Sequence, residues 1–436
     1  MLLLCYRLLF IPVLLGMAPY YLLRMRRRGG YRRHFEQRLG SHRWLPPKTG
    51  ACKRIWLQAV SVGEILAITP MIEALHRDGV EIYLTTTTST GYRLANDSYR
   101  GLTVGIGYFP IDWWPFSART WRRINPDLAV LTEGERWPEH IYQAHLRGVP
   151  VICINARLSE RGARRWKLFP AAARRLFRDI TRILPCSTQD EARFLSAGFP
   201  AERMTMTGNI KLDVSIPVLD GRAREALRGE IGLPQGGLIL FGSSTWPGEE
   251  LALLEALRKV RGAGLRCSLV LVPRHAERRL EIEKLLRSAG LRYHFRTRGR
   301  AQGEVDVAVG DTTGEQRRLV QLADLVFVGK SLPPRTEGQT PIEAAILGRA
   351  MIFGPGMTNF VQVATELADC GGARVVADER ELADACLELL KDDTRRGEMA
   401  SAAMAWNRAN NGATARTLAI LRTYTKSGSD SSSGIG

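Results

Sequence analysis

The sequence predicts an α/β protein built from two parallel-sheet domains, and three observations carry the prediction. Short apolar, β-rich runs alternate with helical patterns along nearly the whole chain, the mark of strands joined by crossover helices. The alternation breaks once, after Asp213, where Ile216-Pro217-Val218 reads as a linker, and then resumes. The 436 residues suffice for two domains of ordinary size plus extras.

The N-terminus comes first. Leu2 to Leu23 is apolar apart from Arg7 and is interrupted by Pro12 and Pro19; Arg24, Arg26, Arg27, Arg28, Arg32 and Arg33 follow. A cleaved signal peptide would place its charge before the apolar run and a small-residue site after it, and neither is clear here. The run from Leu8 to Leu23 is shorter than the roughly 20 residues that span a bilayer. Two readings follow: a short uncleaved signal-anchor, or a segment lying in the membrane interface. In both, the arginines mark the cytoplasmic side and meet anionic headgroups. A buried first helix is the alternative. Residues 1–34 are thus expected to form a membrane anchor with a basic flank.

The first domain, residues 35–214, has strand candidates at 55–60, Glu81–Thr86, Leu128–Leu131, Val149–Ile154, Ile183–Pro185 and Met204–Thr207. The second, residues 215–400, has them at Leu238–Gly242, Cys267–Val272, Tyr293–Phe295, Val305–Val309, Leu325–Val328, Ala350–Phe353 and Arg374–Val376. Residues 401–426 hold a helical pattern from Ala402 to Tyr424, free to pack back on the first domain, and the Ser/Gly-rich tail 427–436 reads as disordered. Two such domains are expected to leave a deep cleft between facing strand ends. No internal repeat at fixed period occurs.

The formal net charge of +18 points to an anionic partner: nucleic acid, an acidic membrane surface or a phosphorylated substrate. The seven cysteines stand far apart with no CxxC or Cys/His cluster, which argues against a zinc site and for reduced core thiols in a cytosolic compartment. Neither G-x-G-x-x-G nor G-x-x-x-x-G-K-[ST] occurs, so the NAD-binding and P-loop readings lack their motif.

Glu64 is the most informative single residue. It follows a strand and Gly63 and opens a helix, so it stands at a strand's carboxyl end, where open α/β sheets bind ligands. The helix dipole stabilises a carboxylate there and leaves it available as a base; an acid that merely favours a helix start is the plainer reading. Three further polar loops follow strands in the same domain: Thr85–Gly91, Glu133-Gly134-Glu135-Arg136-Trp137-Pro138, and Asn155-Ala156-Arg157-Leu158-Ser159. Parallel topology brings all of them to one edge.

A basic stretch from Arg161 to Arg182 interleaves Leu168, Phe169, Leu176, Phe177 and Ile180; it is a solvated face, an RNA patch or a surface for anionic lipid, and the anchor favours lipid.

In the second domain, Gly242-Ser243-Ser244-Thr245 suits a phosphate or carboxylate through its N–H groups and hydroxyls. Arg274 can fork onto phosphate and His275 can donate beside it. Asp311 to Glu315 lies in a Gly-flanked turn, and Lys330-Ser331 follows a strand. Gly338, Thr340, Pro341 and Glu343 open a helix whose free N–H groups suit an anion and whose Glu343 can accept from ribose hydroxyls. Together these describe a nucleotide-phosphate site.

These segments resemble the 3-deoxy-D-manno-oct-2-ulosonic acid (Kdo) transferases of lipopolysaccharide synthesis. The resemblance rests on Ser61-Val62-Gly63-Glu64, Thr85–Gly91, Glu133–Pro138, Asn155–Ser159, Thr207-Gly208-Asn209-Ile210-Lys211, Val272-Pro273-Arg274-His275, Gly310–Glu315, Gly338–Glu343 and Gly354-Pro355, in that order. It implies a GT-B fold of two Rossmann-like domains, a CMP-Kdo donor, a lipid A precursor as acceptor, and a place on the cytoplasmic side of the inner membrane. It implies inverting transfer without a metal or other cofactor. Glu64 resembles the base, and Glu133, Glu135 and Arg157 acceptor-side or structural positions. Ser243, Lys211, Arg274, His275, Asp311, Glu315, Lys330, Ser331, Gly338, Thr340 and Glu343 resemble donor-site positions, with Lys211 or Arg157 as the cation for the Kdo carboxylate. The chain departs from the family pattern at Lys330, where a Gly is usual, at Glu139 for an Asn, at Trp246-Pro247 where a His is often found, and in Glu337-Gly338-Gln339-Thr340-Pro341. Alternatives are another GT-B lipid glycosyltransferase, a nucleotide-sugar epimerase or, in a different class, a basic nucleic-acid-binding protein. Against the last, no aromatic-interleaved RNA motif and no DNA-binding module occurs, and no nucleic-acid partner is expected.

Overall fold

The computed structural model describes residues 2–28, 34–48, 50 and 52–425. Arg32, Arg33 and the tail 427–436 lie outside the described residues. The chain divides into two units: residues up to Asp213 together with those from Asn411 on, and Val214–Asn410.

The first unit is a six-stranded sheet of β1 (Arg54–Gln58), β2 (Glu81–Thr86), β3 (Gly105–Tyr108), β4 (Leu128–Thr132), β5 (Val151–Ala156) and β6 (Arg182–Pro185). The order is β3-β2-β1-β4-β5-β6 and every pairing is parallel. Apolar side chains cover both faces, which is why β1, β4 and β5 are buried at every residue. Ile55, Leu57, Val130 and Ile152 fill one face; Trp56, Ala129, Leu131 and Cys153 fill the other. The order reverses between β1 and β4, the switch point at which α/β sheets open a crevice.

β3 was not expected. Gly105 and Gly107 depress its β signal, yet both are needed there: a Cβ at Gly105 would run into the Trp44 ring, and one at Gly107 into the Tyr83 hydroxyl. Conversely, Met204–Thr207 is not a strand. Met204 makes a single bridge to Ile183 before the chain turns into the 3-10 helix Ile210–Leu212.

The second unit is a seven-stranded parallel sheet of β7 (Leu238–Thr245), β8 (Cys267–Pro273), β9 (Tyr293–Phe295), β10 (Val307–Val309), β11 (Leu325–Val328), β12 (Ala350–Phe353) and β13 (Arg374–Val375), in the order β13-β12-β11-β7-β8-β10-β9. Its switch point falls between β7 and β11.

The helical pattern predicted from Ala402 to Tyr424 is two helices. Asp393–Asn410 belongs to the second unit and Ala413–Thr425 to the first. The break is at Gly412 (φ 87°). There the Asp213 carboxylate accepts from Gly412 N at 2.8 Å and from Thr414 N, capping the last helix. Leu418 and Leu421 of that helix enter the core of the first unit.

The N-terminal helix Leu2–Arg28 docks on the first unit through two polar contacts. Tyr6 Oη donates to Asp112 at 2.7 Å, and Arg7 forks onto the buried Glu139 at 2.7 and 2.8 Å. Leu4, Leu8, Leu9 and Leu15 stay exposed. Among the described residues no helix is long and apolar enough to cross a membrane.

Candidate functional site

The first site is assembled at the β1/β4 switch point. Ser61, in extended conformation, caps the helix Val62–Ala67, and its hydroxyl accepts from Glu64 N at 3.3 Å. The same hydroxyl donates to Glu64 Oε1 at 2.9 Å, and Val60 N donates to Oε2 at 2.9 Å. This is a variant of the capping box, so the plain structural reading of Glu64 is realised. A further contact exceeds it: Thr132 Oγ1, at the end of β4, donates to Glu64 Oε2 at 2.6 Å. A helix start needs no donor from the neighbouring strand. The carboxylate is held from three sides and is 8% exposed.

Glu133 and Asn155 surround it, both with left-handed backbones (φ 52° and 48°). Asn155 Nδ2 donates to Glu133 Oε1 at 3.4 Å, and its Oδ1 accepts from Ile210 N at 3.1 Å. That second bond seats the segment carrying Lys211, whose ammonium pairs with Glu133. Glu64, Thr132, Glu133, Asn155 and Lys211 line one small recess. Lys211 thus stands in the first unit, beside Glu133.

Glu135 accepts from Trp137 Nε1 at 2.7 Å; burial raises its pKa above the usual range, with the charges of Glu64 and Glu133 adding to the rise. Arg136 is half-buried and donates to the carbonyls of Glu133 and Arg157 at 3.1 and 3.0 Å, tying the two loops together. Arg157 is half-buried, and its Nε has no hydrogen-bond partner among the described residues. The Thr85–Gly91 hydroxyls serve the fold: Thr86 and Thr88 donate to Val60 O at 3.1 and 3.0 Å, and Thr88 caps the next helix.

The second site lies at the β7/β11 switch point of the other unit. Gln316 links its loops. Its Nε2 donates to Ser243 Oγ at 3.1 Å and to Glu343 Oε2 at 3.0 Å, and its Oε1 accepts from Ser244 at 2.8 Å. Arg317 Nε donates to the other Glu343 oxygen at 2.8 Å. Glu249 clamps the opposing loop: it accepts from the backbone N–H of Trp246, Lys330, Ser331 and Leu332 at 2.9, 2.8, 3.0 and 3.3 Å. Burial raises its pKa, with those N–H groups holding it down in part.

Lys330 is fixed in a left-handed conformation (φ 58°), its ammonium 4.3 Å above the Trp246 ring and 3.1 Å from Glu337. His275 packs edge-on against the same ring. Arg274 projects into solvent from the end of β8, and its guanidinium makes no hydrogen bond or ion pair among the described residues. Gly338 (φ 67°) sits against Met357, and Thr340 Oγ1 accepts from Ile342 N at 3.3 Å.

Other expected donor residues turn inward. Ser331 is wholly buried and donates to Val328 O at 2.6 Å. Asp311 is buried between Thr297 and Arg279. Glu315 pairs with Arg296, 3.2 Å away, and accepts from Thr312.

Sequence reasoning passed over Thr132, Gln316 and Glu249. Thr132 reads as the last residue of a buried strand and Gln316 as an ordinary helix start. The pair Glu249-Glu250 just after a strand and Gly248 was the one usable signal. Among the described residues six non-glycines have positive φ, and Glu133, Asn155, Ser244 and Lys330 are four of them. Such backbones concentrate where a site dictates geometry.

Residues 33–214 match the family model described as 3-deoxy-D-manno-octulosonic-acid transferase (kdotransferase). A 3-deoxy-D-manno-octulosonic acid transferase of Bordetella pertussis is 35% identical over 380 residues, covering 85% of this chain and 87% of that one. One from Haemophilus influenzae is 30% identical, covering 90% and 92%. Among solved structures, MurG of Acinetobacter baumannii aligns with a TM-score of 0.56 at 16% identity over 85% of this chain and 99% of that one. A UDP-GlcNAc 2-epimerase of Neisseria meningitidis, bound to UDP-GlcNAc, aligns with a TM-score of 0.58 at 13% identity, covering 85% and 100%. At such identities the structures show the fold alone, which is of GT-B type.

Proposed function

The chain belongs to the 3-deoxy-D-manno-octulosonic acid transferase family of glycosyltransferases, and we propose that it moves Kdo from CMP-Kdo to the 6-hydroxyl of a glucosamine in a lipid A precursor. The observation that carries the assignment of the base is the bond from Thr132 to Glu64, which orients a carboxylate at a switch point instead of leaving it to its helix.

In the proposed step, Glu64 takes the proton of the attacking hydroxyl. The oxygen–carbon bond to the Kdo anomeric centre forms on the face opposite CMP, and the bond to the phosphate oxygen breaks. A positioned general base contributes about 10²–10⁴-fold. Charge accumulates on the departing phosphate, and Arg274 and Lys330 are the cations suited to receive it, so no metal is required. Lys211, beside Glu133, suits the Kdo carboxylate.

The acceptor is a lipid, and two surfaces of the first unit suit a bilayer. The N-terminal helix exposes Leu4, Leu8, Leu9 and Leu15, and the elbow Leu168-Phe169 is exposed between the basic helices Glu160–Leu168 and Pro170–Arg178. In this reading the helix lies in the headgroup layer on the cytoplasmic side of the inner membrane.

The test is incubation with CMP-Kdo and lipid A precursor, followed by mass spectrometry of the lipid. A mass gain of one or more Kdo residues supports the proposal; an unmodified lipid with intact donor refutes it.

A further inference from the structure

A groove runs along the exposed edge of β3, the outermost strand of the first unit, and encloses about 530 Å³. None of its residues belongs to the site around Glu64. One wall is the helix Ser89–Tyr99 and its end, which presents Tyr92, Asn96 and Arg100 at intervals of four, hence as one stripe. The opposite wall is the segment carrying His34, Gln37 and Trp44.

The chemistry of the walls is specific. Trp44 lies against Gly105 with 46% of its surface exposed, a large indole left in water beside a cavity. Tyr92 is half-buried and stacks on Tyr108 at 4.8 Å between ring centroids. Among the described residues the side chains of Asn96 and Arg100 make no hydrogen bond or ion pair, although both line the groove. Burial raises the Tyr92 phenol, and the charge of Arg100 works against that rise, as expected for two groups sharing one space. Glu36 stands 3.6 Å from His34, and its charge adds to the rise of the Tyr92 phenol.

An exposed indole, a phenol, an amide and an unpaired guanidinium match an anionic sugar. The Trp44 indole covers the apolar C–H face of a pyranose, Tyr92 and Asn96 meet hydroxyls, and Arg100 forks onto a carboxylate or phosphate. An acyl chain would leave Arg100 and Asn96 desolvated without partners. We propose that this groove is a second saccharide site, separate from the Glu64 recess, that holds a carboxylated or phosphorylated sugar. Two sources fit that chemistry: a phosphorylated glucosamine of the acceptor, or a Kdo already transferred. These sources rest on the function proposed above; the groove's own chemistry does not.

The experiment is ¹⁹F NMR of the full chain labelled with 5-fluorotryptophan. The Trp44 line is assigned by its loss in Trp44→Phe. The probes are free Kdo, glucosamine 1-phosphate and neutral N-acetylglucosamine. The expected result is a saturable shift of the Trp44 line with at least one anionic sugar, none with the neutral one, and binding weakened about tenfold or more in Arg100→Ala. Asn96→Ala, which leaves the charge in place, should weaken binding less. A shift with Kdo identifies a transferred sugar as the occupant, and one with glucosamine 1-phosphate identifies the acceptor. No shift, equal response to the neutral sugar, or unchanged binding in Arg100→Ala overturns the proposal. The readout involves no turnover, so failure of the groove and failure of Kdo transfer are told apart.

Discussion

Thr132 Oγ1 lies 2.6 Å from Glu64 Oε2, joining the end of β4 to the helix that follows β1. The two oxygens meet where the strand order of the first unit reverses. Val60 N and Ser61 Oγ hold the remaining directions of the carboxylate at 2.9 Å each, so its rotamer is set by three donors from two elements. A carboxylate whose orientation is set in advance loses little freedom when it acts as the proposed base.

Glu64→Gln should therefore keep the fold and donor binding while transfer falls by about 10²-fold or more. Thr132→Val should lower kcat by roughly tenfold, with KM little changed, because a donor that orients the carboxylate has been removed. Steady-state rates and thermal unfolding of both variants decide this. A Glu64→Gln enzyme with near-normal turnover would show that the carboxylate is only a helix cap.

Glu249 has the corresponding role in the second unit, and its loss should show in binding and stability together. Glu249→Ala strips the acceptor from four N–H groups, two of them buried, and frees the Lys330 loop. A destabilisation of about 3 kcal/mol or more is expected, since each unsatisfied buried donor costs roughly 1–3 kcal/mol. Glu249→Gln retains one acceptor oxygen and should fall between. Denaturant unfolding and calorimetric titration with CMP should rank wild type, Gln and Ala in that order by both measures.

The sheets were legible in the sequence because a parallel strand buried on both faces is a continuous apolar run: β1, β2, β4 and β11 stand out on that ground alone. β3 escaped because contacts with Trp44 and Tyr83 demand glycine, and glycine erases the strand signal. The positions of Glu64 and of the polar loops were legible because position after a strand implies position at the edge. Thr132 and Gln316 were not, since what matters is their partner 68 or 73 residues away, not their neighbours. The break of the last helix was hidden for the same reason, because its cap is Asp213, 199 residues earlier in the chain.

The first unit should lose stability as pH falls from about 6.5. His140 and His42 are buried neutral, and burial lowers their pKa values to about 3 and about 4. Unfolded histidines titrate near 6.5, so each ring contributes stability that is full above that pH and is lost on acidification. Asp112 has the opposite sign. Burial, offset in part by Tyr6 and the N–H groups of Glu139 and His140, raises its carboxyl to about 6. Its contribution is present at low pH and lost as pH rises through that value. Below pH 6 the unfolded chain binds two more protons on the histidines and the folded chain one more on Asp112. The net is one proton, or about 1.4 kcal/mol per pH unit from these three groups. His42→Phe should make the measured slope of unfolding free energy between pH 6 and pH 4.5 shallower by about that amount; an unchanged slope would mean that His42 is not buried neutral.

The cap on the last helix makes a separate prediction. The Asp213 carboxylate meets Gly412 N at 2.8 Å and Thr414 N beyond it, and Arg422 of the same helix pairs with Asp78 at 2.7 Å. The ion pair is exposed at both ends and should contribute little. The cap is part-buried and satisfies Thr414 N, which has no acceptor within the helix, while Gly412 N also donates to Asn411 Oδ1 at 2.6 Å. Asp213→Ala should therefore cost about 1 kcal/mol, a fall of roughly 2–4 °C in Tm for a unit of this size, and should raise hydrogen exchange first in Ala413–Thr425. Asp78→Ala should change Tm by less than half as much. If the two variants prove equal, the helix is held by its Leu418 and Leu421 contacts alone and the cap is incidental.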